Sequence, residues 1–105
     1  MFTRTVTLKL KANSAPEFTR LNESNIVPIL RKQKGFRDEI TFIAPERLEV
    51  MAITLWDTKE DAEAYNRTGY PEVLNTISKV VEGTPKVETF ELCHTTFPKV
   101  AAKEA

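Results

Sequence analysis

The sequence predicts an α+β protein of the ferredoxin-like, split βαβ type, with a four-stranded antiparallel sheet and helices on one face. Three observations lead to this fold class. Several segments alternate apolar and polar residues with the period of two that is typical of strands. Helix-start signals follow the first and the third of these segments. The resulting order, β-α-β-β-α-α-β, is that of the split βαβ plan.

Length and composition limit what the chain can be. Its 105 residues support one domain, assigned to residues 1–98, with a tail at 99–105 that is expected to fray. The 15 basic residues balance the 15 acidic ones, which argues against nucleic-acid binding. One Cys and one His predict no metal site. Neither a membrane-spanning run nor a signal peptide is recognisable, so we expect a cytoplasmic protein that does not enter a membrane.

The first strand and the first helix have clear signals. In Phe2–Leu10 apolar residues alternate with threonines, and Arg4 is the exception on the apolar face. A capping box with proline in its first turn predicts a helix over residues 15–34. Gly35 is expected to end this helix, and Pro28 is expected to bend it because proline has no N–H to donate.

The next two strands are expected at residues 35–43 and 48–56, joined by a turn. One face of the earlier strand is predicted to carry Phe36, Ile40 and Phe42. The later strand is apolar on both faces, which is typical of a central strand covered on both sides.

The remainder of the chain predicts two helices and a last strand. A capping box opens a helix at residues 59–67, and a third helix is expected at 71–82 with Gly83 as its terminator. The last strand is expected at 86–97. Right-handed crossovers then place the first and third strands in the middle of the sheet.

The sheet face without helices is expected to be apolar and to be covered by a second copy of the chain, because exposed apolar surface of this extent normally marks an interface. Its predicted members are Ile43, Met51, Ile53, Leu55, Val87 and Cys93.

Two segments resemble a known family. Residues 28–36, PILRKQKGF, look like the end of the first helix in antibiotic-biosynthesis-monooxygenase-like domains. Residues 55–62, LWDTKEDA, are similar to the segment of these domains that carries a tryptophan at a strand end, and Trp56 matches it. The resemblance extends over about residues 4–92.

This resemblance implies a dimeric α+β barrel, with a pocket in each subunit between sheet and helices. The family includes cofactor-independent monooxygenases that act on quinol-type polyketides, for which no cofactor is expected because the substrate itself reduces dioxygen. It also includes haem-degrading enzymes with an Asn on the first strand and a His on the second helical segment. Here these positions are Val6 and the His-free segment 66–70, so His94 is the remaining candidate for an axial haem ligand.

Candidate site residues are those predicted to face the helix-side pocket. Asn22 and Asn25 fall in the apolar stripe of the first helix, where they either bond nearby backbone or line the pocket. The expected catalytic residues are Trp56, His94 and Asn25, and His94 is included because imidazole exchanges protons near pH 7. The expected substrate-binding residues are Arg4, Asn22, Thr54, Tyr65 and Asn66. Tyr65 and Tyr70 flank the break between two helices, a position suited to a pocket lid.

Several functions remain open at this point. The first is a small homodimeric monooxygenase without a cofactor, which acts on a small hydrophobic, aromatic or quinol-type molecule. The second is a non-catalytic dimer that binds a small metabolite or has a role in stress, and the third is haem binding and degradation. A pocket filled by Phe18, Phe42 and Trp56 would exclude the first two.

Overall fold

The computed structural model describes residues 1–97, so the tail predicted at 99–105 lies outside the described residues. The predicted fold class is confirmed, since a four-stranded antiparallel sheet carries helices on one face. The elements in chain order are β1 (Phe2–Leu10), α1 (Ala15–Leu21), a π-helical turn (Asn22–Ile26), α2 (Val27–Arg31), β2 (Phe36–Ala44), β3 (Glu49–Trp56), α3 (Lys59–Arg67), α4 (Gly69–Ile77) and β4 (Val81–Glu91). Within the described residues, no helix is long and apolar enough to cross a membrane.

The sheet has the strand order β2-β3-β1-β4, which confirms that the first and third strands are central. All pairs are antiparallel. Arg4 on β1 lies opposite Thr54 on β3, and Thr54 in turn lies opposite Glu39 on β2. Paired residues of neighbouring strands point to the same face of a sheet. These three residues therefore form one polar row across the side that faces the helices.

The core fills the space between that side of the sheet and the helices. The alternation predicted for β1 is confirmed, because its apolar positions are buried and Lys9 on the other face is exposed. The core members from β1 are Phe2, Val6, Leu8 and Leu10, and those from the helical layer include Phe18, Leu21, Ile26, Leu30, Val73 and Ile77.

The first helical segment is not the single helix predicted over residues 15–34. It consists of α1, the π-helical turn and α2, and the N–H of Val27 bonds to the C=O of Asn22, five residues earlier. Pro28 follows directly and has no N–H, so a regular α-helical bond is impossible there. The π-helical turn adds one residue and changes the phase of the helix. Ile26 consequently faces the core, while Asn25 is exposed.

The boundary between the third helix and the last strand also differs from the prediction. α4 ends at Ile77, and β4 begins at Val81, which pairs with Leu10. Gly83 therefore does not terminate a helix. It lies within β4 at a φ of 73°, beside an irregularity where the β1–β4 register shifts between Thr7 and Lys9. Pairing with β1 thus overrides the apolar helical pattern of this segment.

Three residues predicted on the helix-free face lie elsewhere. Ile43 pairs with the buried Val50, so Ile43 faces the helices. Val87 also faces them, because the β1–β4 register places it opposite Val6. Cys93 follows the end of β4 and is exposed.

The faces predicted for the residues of β2 are wrong for a local reason. The β2–β3 register shifts between Phe36 and Asp38, which adds one residue to β2. Phe36 and Glu39 consequently face the helices, whereas Ile40 and Phe42 face the other side. The helix-free face carries Ile40, Phe42, Met51, Ile53, Leu55 and Phe90.

Candidate functional site

A narrow cavity lies between the sheet and the helices. Most of its wall is apolar, and its polar or hydroxyl-bearing residues are Arg4, Asn22, Glu39, Thr54, Tyr65 and Tyr70. Its volume of about 40 Å³ holds a few water molecules, since one water needs roughly 10–15 Å³ of such space. Of Phe18, Phe42 and Trp56, whose filling of the pocket would exclude the first two functions, only Phe18 lines the cavity. A larger ligand requires neighbouring side chains to move.

Arg4 is the most unusual residue of the cavity, because a guanidinium is rarely buried without an anion. It is 3% exposed, and its Nη2 donates to Oδ1 of Asn66 at 2.8 Å. Burial lowers the pKa of Arg4, and the neighbouring Tyr65 and Tyr70 act in the opposite direction. Within residues 1–97, Arg4 forms no ion pair with a carboxylate.

Two tyrosine rings surround this guanidinium. The Cζ atom of Arg4 lies 4.0 Å from the ring centre of Tyr70 and 5.2 Å from that of Tyr65. At these distances both rings attract the cation through their π-electrons. Burial raises the pKa of Tyr65 to about 12 against the opposing charge of Arg4, and burial also raises the pKa of Tyr70. Both hydroxyls are therefore neutral at pH 7 and can donate hydrogen bonds.

The close approach of α4 to Tyr65 depends on Gly69. A Cβ atom at this position would lie 2.7 Å from Cδ1 of Tyr65 and 2.9 Å from Nε2 of Gln33. Contacts between atoms this close are repulsive, so a larger residue would push α4 away from the ring. Gly69 thus permits Tyr70, the next residue, to reach Arg4.

Trp56 supports the cavity from behind. It is fully buried, stacks on Tyr65 with ring centres 5.0 Å apart, and contacts Phe36 edge-on. Its Nε1 donates to Oγ1 of Thr54 at 2.9 Å, and the Thr54 hydroxyl donates to the C=O of Arg4 at 3.3 Å. The indole N–H is already bonded within the protein, so Trp56 positions Tyr65 and does not offer a donor to a ligand.

The sequence prediction placed several site residues where the structure has them. Arg4, Asn22, Thr54 and Tyr65 line the cavity. Asn66 bonds to Arg4 and lines an adjoining surface groove between α3 and β4.

Two predicted catalytic residues are not brought to the cavity. Asn25 is exposed because of the π-helical turn. His94 is exposed in the segment after β4, which ends at Glu91 and not near residue 97 as predicted. The described part of the chain also contains no cluster of His, Cys, Asp and Glu that could hold a metal ion.

Glu39 is a cavity residue that the sequence prediction missed. Its carboxylate accepts a hydrogen bond from the hydroxyl of Thr41 and is at the far end of the polar row from Arg4. The strand pattern, counted from Phe36, assigned Glu39 no role, because the register shift before Asp38 is not visible in the alternation. Arg37 and Asp38 precede Glu39 directly, so its charge gave no distinct signal in the sequence.

Comparisons with known proteins show where this fold occurs. No family model matches the chain, and no curated protein matches it by sequence. A protein of Deinococcus radiodurans named "putative antibiotic biosynthesis monooxygenase" superposes with a TM-score of 0.73 at 15% identity, over 90% of this chain and 95% of that chain. The chain has the antibiotic biosynthesis monooxygenase fold. The resemblance of the sequence is thereby confirmed at the level of the fold.

Two other structures with this fold carry ligands. A monooxygenase of Streptomyces coelicolor in complex with nanaomycin D gives a TM-score of 0.71 at 15% identity, over 92% of this chain and 91% of that chain. A mutant of MhuD with two manganese protoporphyrin IX molecules bound per active site superposes with a TM-score of 0.73 at 13% identity. The match covers 91% of this chain and 98% of that chain. The antibiotic biosynthesis monooxygenase fold therefore accommodates more than one class of ligand.

The hydrogen bond between Trp56 and Thr54 predicts a loss of stability when its acceptor is removed. Thr54→Val leaves a buried indole N–H without an acceptor, which costs about 1–3 kcal/mol of unfolding free energy. Thr54→Ser keeps the hydroxyl and serves as the matched control, with a smaller expected loss. Urea denaturation followed by the emission of Trp56, the sole tryptophan, measures both. A Thr54→Val protein as stable as Thr54→Ser would contradict this account.

The raised pKa of Tyr65 predicts a loss of stability at alkaline pH. An unfolded tyrosine ionises near pH 10, whereas folded Tyr65 retains its proton to about pH 12. Between these values the unfolded state binds fewer protons, so the unfolding free energy falls as pH rises, by about 2–3 kcal/mol in total. We expect a shallower decline in Tyr65→Phe, which retains only the contribution of Tyr70. Denaturation midpoints measured from about pH 9 to 12 compare the two proteins, and equal slopes would argue against a buried, protonated Tyr65.

Proposed function

We propose that this protein is a homodimeric monooxygenase that needs no cofactor and acts on an aromatic or quinol-type small molecule. The cavity supports this proposal most directly. On a fold shared with monooxygenases, apolar walls surround a few inward polar groups, which is the usual composition of a site for a small apolar ligand.

The polar groups suit a phenolic substrate. The carboxylate of Glu39 is positioned on the cavity wall to accept a phenolic proton. Tyr65 and Asn22, which line the same cavity, can donate hydrogen bonds to the oxygen that becomes negative. The resulting anion is the electron-rich form that transfers electrons to dioxygen.

The overall reaction balances without a further reductant. For an anthrone, the CH₂ carbon loses both hydrogens and gains one oxygen atom as a carbonyl. The second oxygen atom of O₂ leaves as water with those two hydrogens. The substrate therefore supplies all four electrons, and the protein contributes binding, proton acceptance and exclusion of water.

Haem does not fit the residues of this cavity. The sole histidine, His94, is exposed beyond β4. The axial His ligand implied by the haem-degrading relatives thus has no counterpart here.

Dimer formation is the second part of the proposal. On the helix-free face the exposed fractions are 54% for Phe42, 45% for Met51 and 51% for Phe90. Exposure of such large apolar side chains to water is unfavourable. A second copy that packs the same face against this one would remove roughly 600–1,000 Å² of apolar area. At about 25 cal/mol per Å² this contributes roughly 15–25 kcal/mol before association costs. Such a contact has two-fold symmetry.

A non-catalytic dimer that binds a small metabolite is the alternative. The position of His94 favours it, because the described residues give the cavity no imidazole to move protons near neutral pH. In that case the cavity binds the same class of ligand without turnover.

Oxygen consumption with a panel of hydroquinones and anthrones tests the catalytic proposal. We expect turnover by the wild type and at least a tenfold loss of kcat/KM in Asn22→Ala, because Asn22 lines the cavity. Asn25→Ala is the matched control, since Asn25 lies exposed in the same π-helical turn. Binding without oxygen consumption across the panel would favour the non-catalytic alternative, and equal losses in the two variants would contradict the proposed site.

Sedimentation equilibrium at micromolar concentration tests the dimer. The chain has a mass of 11.9 kDa, and we expect a species of twice that value. Ile53→Asp would place an unpaired carboxylate in the interface and should give unfolded or aggregated protein. Asn75→Asp adds the same charge to an exposed position of α4 and should sediment as the wild type does. A monomeric wild type would refute the interface.

A further inference from the structure

We propose that Arg4 is an anion-binding residue and that the ligand of the cavity is a monocarboxylate with an aromatic or apolar body. This inference rests on the proposed function and specifies the substrate class. It begins from a buried cation that lacks an anionic partner.

The guanidinium of Arg4 has more donors than the surrounding protein uses. It carries five N–H groups, of which one bonds to Asn66, and the Tyr70 hydroxyl is a second neighbour. The rings of Tyr65 and Tyr70 attract the cation, but they do not supply a negative charge. Burial of an unpaired charge is unfavourable, and an apolar side chain would fill this position without that penalty.

Arg4 is not a strand residue that extends its charge into water. Long side chains on edge strands can extend their charge into water. β1, however, is central in the sheet, and Arg4 is only 3% exposed. Its charge is therefore held inside the protein, next to the cavity.

Glu39 does not serve as the missing anion. It lies on β2, two strands away from β1, which at about 4.8 Å per strand separates the two backbones by roughly 10 Å. Its carboxylate accepts a hydrogen bond from Thr41, and Thr54 stands between it and Arg4. The cavity thus has a cation at one end of its polar row and a proton acceptor at the other.

A second space adjoins Arg4. Arg4 also borders the surface groove between α3 and β4, which has a volume of about 190 Å³ and is lined in addition by Lys59, Glu63, Asn66 and others. The planar N–H edge of a guanidinium matches the two oxygens of a carboxylate. The amide of Asn66 can donate beside it. Cζ of Arg4 lies over the ring of Tyr70, whose hydroxyl also bonds to the guanidinium, so Tyr70 moves when a carboxylate takes its place.

This placement orients an acidic aromatic substrate. With its carboxylate at Arg4, the body of the ligand extends along the row towards Glu39, where the phenolic proton is accepted. The apolar side chains around the row contact the rings. A neutral molecule of the same shape would leave the guanidinium without its partner.

Calorimetric titration with 2-naphthoate and with 2-naphthamide tests the inference, because these probes match in shape and differ in charge. We expect the wild type to bind the carboxylate at least tenfold more tightly than the amide. Arg4→Gln should abolish this preference while leaving the affinity for the amide within threefold. Lys79→Gln, the control for general electrostatic attraction, should change the affinity for 2-naphthoate by less than threefold, since Lys79 is exposed after α4 and lines neither the cavity nor the groove.

Equal wild-type affinities for the two probes, or no binding of either, would overturn the inference even if Arg4→Gln fails to fold. A preference that survives in Arg4→Gln would overturn it as well. The proposed function fails separately. Tight 2-naphthoate binding without oxygen consumption by any quinol refutes the catalysis and retains the anion site, whereas equal turnover of neutral and carboxylated quinols retains the catalysis and refutes the anion site.

Discussion

The burial of the Arg4 guanidinium against two tyrosine rings constrains the arrangement of the helical layer over the sheet. A cation in this position requires aromatic faces and hydrogen-bond acceptors close by, and α3 and α4 supply them through Tyr65, Asn66 and Tyr70. These residues lie on both sides of the junction between the two helices. The junction must therefore be tight, and Gly69 makes it so, because any Cβ there would collide with Tyr65.

Residues of the sheet also position Tyr65. Trp56 stacks on Tyr65 and bonds to Thr54, and Thr54 bonds to the backbone of Arg4. The three residues of adjoining strands thus hold the ring on which the cation rests. The indole N–H of Trp56 and the hydroxyl of Thr54 are both bonded inside the protein, which fixes their positions, and ligand entry has to move the half-buried Tyr70 instead. A buried cation beside one side chain that can move, Tyr70, is suited to select a charged ligand.

The strands were predictable wherever a regular period was unbroken. The alternation of β1 placed Arg4 on the helix-facing side, and the same alternation located Thr54 and Trp56 on β3. Errors arose where one residue is added to an element, because periodicity counts positions and does not detect an insertion. The π-helical turn moved Asn25 out of the core, and the register shift of β2 moved Glu39 into it. The start of β4 was missed for another reason, since long-range pairing with β1 decides it.

The two inserted residues together determine the polarity of the cavity. A regular helix would direct Asn25 towards the sheet and add an amide that the apolar wall cannot satisfy, whereas the π-helical turn places Ile26 there. A regular β2, counted from Phe36, would direct Glu39 to the helix-free face and place a carboxylate among the exposed apolar residues of that face. The irregularities therefore remove one polar group where it would be unpartnered and bring another to the end of the row that starts at Arg4. Departures from regular geometry are frequent at functional sites, and here they separate a cation and a carboxylate across a cavity that is otherwise apolar.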